Sequence, residues 1–233
     1  MPLSSPPRQR PLARQACRLL AGSIAVTLAS LAGCAGQAPR ATPGAAPEPL
    51  PAWVELSSAP IARAVVPAGA GCPGLVVDGQ PQPMSLRAAA AIVARRPTAN
   101  DPGGPAKPLA FPVDVCEAGI APGARSLRLG DRTLPAVATE PRRIVVLGDT
   151  GCRLKGAAVQ SCNDPANWPF AQVARSAAAL RPDLVVHVGD YHYRETPCPA
   201  DAPGCAGSPW GYGWDVWQAD FLTPARPLLA ARA

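Results

Sequence analysis

The chain has 233 residues, eight Cys, two His and a net charge of +6. Residues 1–33 contribute four Arg and no acidic residue to that charge, so their removal would leave a net charge of +2. The basic character therefore comes largely from the N-terminus and gives no support for nucleic-acid binding, which requires a basic patch on the folded domain.

The N-terminus has the pattern of a lipoprotein export signal. The four Arg lie within the first 18 residues, and residues 19–31 form an apolar run that is too short to span a bilayer as a helix. The sequence Leu-Ala-Gly then precedes Cys34 and resembles a bacterial lipobox. We expect residues 1–33 to be a signal peptide and Cys34 to be lipidated. The protein would then be anchored in the bacterial cell envelope, facing the periplasm or the outside. Ordinary signal cleavage beside an incidental Cys34 is the alternative.

Residues 34–51 contain five Pro and are predicted to be an extended tether. Residues 52–140 are then predicted to form a β-rich, sandwich-like domain, because short apolar runs alternate with Gly and Pro turns. The candidate strands are 61–66, 74–78, 111–116 and 126–129. Residues 85–95 have helical propensity and could interrupt this domain.

From residue 141 the pattern becomes α/β, and residues 141–233 are predicted to form a second domain. Two apolar runs, 144–147 and 184–188, are expected to be strands covered on both faces. Between them, four residues recur at helical spacing: Phe170, Val173, Ala177 and Leu180. This βαβ order predicts parallel strands joined by a right-handed crossover. A further helix with an aromatic face is predicted from the spacing of Trp214, Trp217 and Phe221.

Cysteine number and spacing indicate disulfides. Besides Cys17 and Cys34 the chain has six Cys, an even number that in an exported protein is typical of disulfide pairing. Closeness in sequence and membership of the same predicted domain favour the pairs Cys72–Cys116, Cys152–Cys162 and Cys198–Cys205. A zinc cluster is the alternative, but the sequence has no C-x-x-C and only two His.

Both predicted strands of the βαβ unit end in Gly-Asp. Asp149 and Asp190 should therefore meet at one edge of the sheet, because ligands bind outside the carboxyl ends of parallel strands. Gly148 and Gly189 permit sharp turns there, and Gly151 would permit close approach of the following loop to a ligand. One carboxylate can bridge two cations, and metal pairs about 3.5–4 Å apart assist hydrolysis. The pattern thus predicts a metal site.

The two motifs, Gly-Asp-Thr-Gly at 148–151 and Gly-Asp-Tyr-His-Tyr at 189–193, resemble the first two motifs of the calcineurin-like metallophosphoesterases. Tyr193, three residues after Asp190, is similar to the purple acid phosphatase branch of that superfamily. The resemblance covers about residues 141–222. It implies a β-rich N-terminal domain followed by the first βαβ part of a metallophosphoesterase α/β sandwich.

The resemblance also implies roles for residues. Asp149 would bind the first metal of a binuclear centre, Asp190 would bridge the two metals, and Tyr193 would bind ferric iron as a phenolate. The second metal would be Fe, Mn or Zn. Hydrolysis of the phosphate-ester substrate would proceed by in-line attack of a metal-activated water. The position of His192 between Asp190 and Tyr193 makes it a candidate for contact with that substrate. A plain packing role is the alternative for Tyr193.

The later motifs of the family, Gly-Asn-His and Gly-His-x-His, have no counterpart in this sequence. We therefore expect the chain to be incomplete and to be a poor enzyme. His187 is expected to point away from the site, and Arg194 to be a surface charge. A non-catalytic envelope lipoprotein, whose β-rich domain binds a partner, is the alternative. A haloacid-dehalogenase-type phosphatase is disfavoured because Thr150-Gly151 replaces the required x-Asp after Asp149.

Overall fold

The computed structural model describes residues 50–94 and 107–231. The predicted signal peptide 1–33, the predicted lipidation site Cys34 and nearly all of the predicted tether lie outside the described residues. The described chain is a mixed α/β structure, with mostly strands in several sheets and few helices. No helix in this part of the chain is long and apolar enough to cross a membrane.

The described residues form fifteen strands and three α-helices. The strands are β1 Ala52–Leu56, β2 Pro60–Pro67, β3 Gly74–Val77, β4 Gln80–Pro83, β5 Ser85–Ala88, β6 Ala91–Val93, β7 Leu109–Phe111, β8 Val113–Gly119, β9 Leu127–Leu129, β10 Arg132–Leu134, β11 Ile144–Leu147, β12 Arg153–Lys155, β13 Ala158–Val159, β14 Leu184–His187 and β15 Tyr193–Arg194. The helices are α1 Phe170–Ala179, α2 Trp214–Trp217 and α3 Arg226–Leu229, with a 3₁₀ turn at Pro203–Cys205 and a π-helical turn at Gln218–Leu222.

The first half of the described chain is built from two four-stranded antiparallel sheets. Their strand orders are β1-β2-β8-β5 and β10-β9-β3-β4, and they share one hydrophobic core. Ala62 and Ala64 on β2 are buried in that core together with Leu75 on β3 and Leu127 on β9, because alternate residues of a strand face the same side. The predicted β-rich character of this half is thus confirmed.

The segment with helical propensity forms strands β5 and β6. The carboxylate of Asp114 on β8 accepts hydrogen bonds from the backbone N–H groups of Ala90 at 2.7 Å and Gly69 at 2.8 Å. This buried side chain fixes the linker between β5 and β6 against β8. Tertiary contacts therefore override the local helix propensity of the Ala-rich sequence.

The predicted βαβ unit is present. Strands β11 and β14 pair in parallel, with Ile144 opposite Leu184 and Leu147 opposite His187, and α1 connects them along the chain. Helix α1 buries Phe170, Ala174 and Ala177. Val173 and Leu180, which the spacing placed on the buried face, are exposed instead.

Only one face of the β11–β14 pair is covered in the described structure, whereas two covered faces were expected. Val145, Leu147 and Val185 pack against the cluster formed with α1 and α3. Ile144 and Val146 on the other face are 52% and 63% exposed. The continuous apolar run therefore predicted the strand correctly, but it did not predict that one face of the strand is exposed.

The aromatic segment near residue 220 does not form one regular helix. Helix α2 ends at Trp217 and a π-helical turn follows, so Val216, Asp220 and Leu222 become the buried residues. The predicted aromatic face of Trp214, Trp217 and Phe221 is only half-buried.

All three predicted disulfides are formed: Cys72–Cys116, Cys152–Cys162 and Cys198–Cys205. The second and third pack around Leu154, and together they make a small core beneath the loops that follow β11 and β14. Disulfides of this number are typical of proteins from oxidising compartments.

A candidate metal centre at the ends of two parallel strands

The loops that follow β11 and β14 are hydrogen-bonded to each other. The backbone N–H of Asp149 donates to the carbonyl of Gly189 at 3.1 Å, and that of Thr150 donates to the carbonyl of Asp190 at 3.1 Å. The two Gly-Asp sequences therefore meet at one edge of the parallel pair, as the strand order predicted.

Both aspartates have left-handed backbone conformations. Asp149 has φ 57° and Asp190 has φ 58°. For a non-Gly residue this conformation costs about 1–2 kcal/mol, although Asp tolerates it better than most residues. Such strain is retained where the surrounding structure enforces it, commonly at functional sites. The matching strain at Asp149 and Asp190 marks this edge as a candidate site.

Tyr193 completes the group. Its hydroxyl lies close enough to the carboxylates of Asp149 and Asp190 to interact with both. The interaction with Asp149 is the largest cause that raises the pKa of Tyr193 above its ordinary value, and burial and Asp190 add to it. The phenol is therefore protonated in the metal-free protein. The structure brings together the three side chains that the sequence predicted as metal ligands.

The donor set fits one hard cation. Two carboxylates and a phenol supply oxygen atoms only, which suits ferric iron, Mn²⁺ or Mg²⁺ better than a soft metal. Within residues 50–94 and 107–231, no group of three or more His, Cys, Asp or Glu side chains could hold a metal ion. The expected second metal thus has no ligand cluster of that kind in the described chain.

A cleft of about 300 Å³ opens beside these groups. Its lining includes Asp149, Arg153, Gln160, Trp168, Phe170 and Tyr193. The guanidinium carbon of Arg153 lies 4.5 Å from the centre of the Tyr193 ring. The cleft therefore combines a carboxylate, a phenol, a guanidinium and an apolar wall.

Gly151 was expected to let its loop approach a ligand closely. Its nearest neighbours are instead backbone atoms of the protein itself. A Cβ at this position would lie 2.3 Å from the α-carbon of His192 and 2.7 Å from the backbone nitrogen of Tyr193. The absent side chain lets the β11 loop lie directly against the residues that carry Tyr193.

His187 is not among the residues that line the cleft, but its ring contacts the two loops that carry the predicted metal ligands. Its Nδ1 accepts a hydrogen bond from the backbone N–H of Gly189 at 3.2 Å, and its Nε2 lies 3.0 Å from the hydroxyl of Thr150. Because Nδ1 is an acceptor, the neutral ring carries its proton on Nε2 and donates it to Thr150. Burial lowers the pKa of His187. This histidine positions both loops. Its place at the end of β14 is the sequence feature that could have indicated this role.

His192, the predicted substrate contact, is not among the residues that line the cleft with Asp149. Its ring packs edge-on against Trp217 at 5.0 Å and Tyr212 at 5.5 Å, and its buried Nδ1 has no hydrogen-bond partner in the described structure. Burial lowers the pKa of this imidazole.

Arg194 is buried, whereas a surface position was expected. It is 3% exposed and forms an ion pair with Asp220, which is fully buried. The Asp220 carboxylate also accepts a hydrogen bond from the backbone N–H of Tyr193 at 3.4 Å. The buried pair thus fixes the backbone beneath the candidate site. Strand alternation could have predicted the burial of Arg194. Because Tyr193 faces the cleft, the next residue along the strand must face the interior.

Comparison with known proteins gave no match: no family model, no curated protein and no solved structure is similar to this chain. Function is therefore inferred from the chemistry of the site.

Proposed function

We propose that Asp149, Asp190 and Tyr193 bind a hard metal cation, and that the protein is an exported metal-dependent phosphoesterase similar to the purple acid phosphatases. The observation that carries this proposal is the proximity of the Tyr193 hydroxyl to both carboxylates, which belong to residues with left-handed backbone conformations. A cation at that position would replace the phenolic proton and neutralise the two adjacent carboxylates.

The proposed roles of the chain's residues follow from their contacts. Asp149 and Asp190 would hold the cation, and Tyr193 would release its proton and supply a third oxygen. His187 keeps the loops in register through Thr150, and Asp220 fixes the backbone nitrogen of Tyr193. When bound, the cation supplies charge stabilisation for phosphoryl transfer to water.

The finer fold assignment is part of the same proposal. The parallel β11–α1–β14 unit supports the start of a metallophosphoesterase sandwich, and the two antiparallel sheets before it support a separate β-rich domain. The three disulfides support export. Lipidation at Cys34 and a second metal, Fe, Mn or Zn, remain predictions.

Metal binding can be tested without turnover. Ferric iron bound by a phenolate gives a visible charge-transfer absorption, so iron loading of the wild-type protein should produce a coloured species. Tyr193→Phe should abolish the absorption, while the matched control Tyr191→Phe should retain it. Colour that persists in Tyr193→Phe, or wild-type protein that binds neither Fe³⁺ nor Mn²⁺ in a titration, would refute the proposed site.

Hydrolysis is tested next. The metal-loaded protein should turn over p-nitrophenyl phosphate slowly, and Asp149→Asn should reduce turnover at least tenfold, because removal of a direct ligand costs more than removal of an outer one. Turnover that is equal in the wild-type protein and the Asn variant would assign the activity to a contaminant.

A second candidate function is ligand binding without catalysis. A cleft of about 570 Å³ lies beside the first sheet, within the size range of small-molecule sites. Its aromatic lining consists of Trp53, Phe111, Tyr191, Trp214, Trp217 and Phe221. Failure of the metal titration, together with quenching of tryptophan fluorescence by an aromatic ligand, would favour this alternative.

A further inference from the structure

Strand pairing places Arg153 beside the candidate metal ligands. Strand β12 pairs in parallel with β15, and Arg153 lies directly opposite Tyr193 in the register. The guanidinium group then lies over the Tyr193 ring, with its carbon 4.5 Å from the ring centre. A cation–π contact of this kind holds the long side chain in place without consuming its hydrogen-bond donors.

Arg153 also differs from nearby basic residues in its partners. Lys155 is paired with Glu195 at 2.8 Å, and Arg194 is paired with Asp220. In the described part of the chain, no carboxylate forms an ion pair with Arg153. A planar guanidinium with free donors is suited to bidentate binding of a phosphate group.

The cleft around Arg153 has a matching shape and composition. Arg153 and Asp149 line the same space of about 300 Å³, so an anion there can contact the guanidinium and a cation held by the carboxylates. Trp168, Phe170 and Val173 line the same cleft and offer an apolar surface for the organic part of an ester.

We infer that Arg153 binds the phosphoryl oxygens of the substrate, and that it contributes more to binding of a phosphomonoester than to binding of a diester. This inference rests on the proposed phosphoesterase function. A monoester dianion has three non-bridging oxygens and gains from both positive groups. A diester has a single negative charge and a second organic group that the cleft must also accommodate.

Arg153 could instead serve only as a packing partner of Tyr193, and the variants separate the two roles. Arg153→Gln removes the charge, whereas Arg153→Lys keeps the charge without the bidentate geometry. Lys155→Gln is the matched control. Residues 153 and 155 lie on the same face of β12, both are exposed, and the buried Leu154 separates them.

The first measurement is calorimetric titration of inorganic phosphate into the Mn²⁺-loaded protein and into the metal-free protein, without turnover. We expect Arg153→Gln to weaken phosphate binding on the order of 10- to 100-fold, as is typical for loss of a charged hydrogen bond. Arg153→Lys should restore part of the affinity, and Lys155→Gln should stay within about twofold of wild type.

The second measurement compares kcat and KM for p-nitrophenyl phosphate and bis(p-nitrophenyl) phosphate. Arg153→Gln should lower kcat/KM for the monoester on the order of 10- to 100-fold, mainly through KM, and should affect the diester by less than about threefold. A merely structural role would reduce both substrates equally and would leave phosphate affinity unchanged.

The outcomes separate the two proposals. If the wild-type protein hydrolyses esters but Arg153→Gln retains wild-type phosphate affinity, the role of Arg153 is refuted and the phosphoesterase function stands. If the wild-type protein hydrolyses neither ester, the proposed function fails. The phosphate titration still decides the role of Arg153, because equal affinities or no binding at all would refute it.

Discussion

Gly151 and His192 approach so closely that a β-carbon at position 151 would lie 2.3 Å from the α-carbon of His192. The two residues belong to the loops after β11 and β14, so their contact sets the distance between the predicted metal ligands. Backbone cannot move aside as the end of a flexible side chain can.

Gly151→Ala should therefore destabilise the protein by about 1–3 kcal/mol, the usual range for overpacking. It should also weaken metal binding, because separation of the loops moves Asp149 from Tyr193. Chemical unfolding and a Mn²⁺ titration measure the two effects. Gly74→Ala is the control, since Gly74 has open space around it, and it should be nearly neutral. Equal stability of both variants would show that the loops adjust freely.

Substitutions of Asp149 can separate the energetic cost of its left-handed backbone from its proposed role as a metal ligand. Asn tolerates positive φ, so Asp149→Asn should keep or raise the free energy of unfolding while it removes metal binding. Asp149→Ala should be less stable than the Asn variant by about 1–2 kcal/mol. Urea denaturation of the two variants measures this difference. An Asn variant as unstable as the Ala variant would contradict a strained but tolerated backbone.

The buried pair of Arg194 and Asp220 should be sensitive to loss of one partner. Asp220→Asn should cost about 3–5 kcal/mol, because it leaves the Arg194 charge uncompensated. The double variant Arg194→Met, Asp220→Leu should recover much of that loss, since replacement of both charges removes the need for pairing. Thermal unfolding of the wild type, Arg194→Met, Asp220→Leu and the double variant forms a closed cycle. Additive effects in that cycle would show that the two charges are not coupled.

Asp78 gives a prediction of pH dependence far from the site. Backbone N–H donors of Ser126 and Arg125 lower the pKa of Asp78 below its ordinary value of 3.8. A lowered folded-state pKa contributes stability above the unfolded pKa, and that contribution is lost as the pH falls through the folded-state pKa.

Asp78→Asn should therefore be less stable than wild type at neutral pH, and the difference should shrink below about pH 4. Asn suits the positive φ at this position, so the comparison isolates the carboxylate. Urea midpoints measured across that pH range test this. A difference that stays constant down to low pH would show that the carboxylate charge has no role.

The features predicted from sequence were those that depend on chain order. Two apolar runs that flank a helix are expected to pair in parallel, so chain order predicted that Asp149 and Asp190 converge, and the family resemblance added Tyr193. Cysteines close in sequence were likewise predicted to pair, and all three disulfides are present. Binding of a metal at this position remains a prediction.

The features that sequence did not predict depend on distant partners. Arg194 is buried because Asp220, 26 residues further along the chain, accepts its hydrogen bond. Residues 85–93 are extended because Asp114 holds the linker between β5 and β6. Local periodicity contains no information about these partners, so propensity and charge alone gave a helix and a surface position.

The small core around Leu154 consists largely of disulfide-bonded cysteines. This has a consequence for the order of disulfide formation and metal binding. Cys152 immediately precedes Arg153, and its disulfide partner Cys162 closes the hairpin that carries that arginine. Under reducing conditions the hairpin would lack the covalent link that closes it. Disulfide formation should therefore precede binding of the proposed cation. A chain in a reducing compartment should bind no cation there.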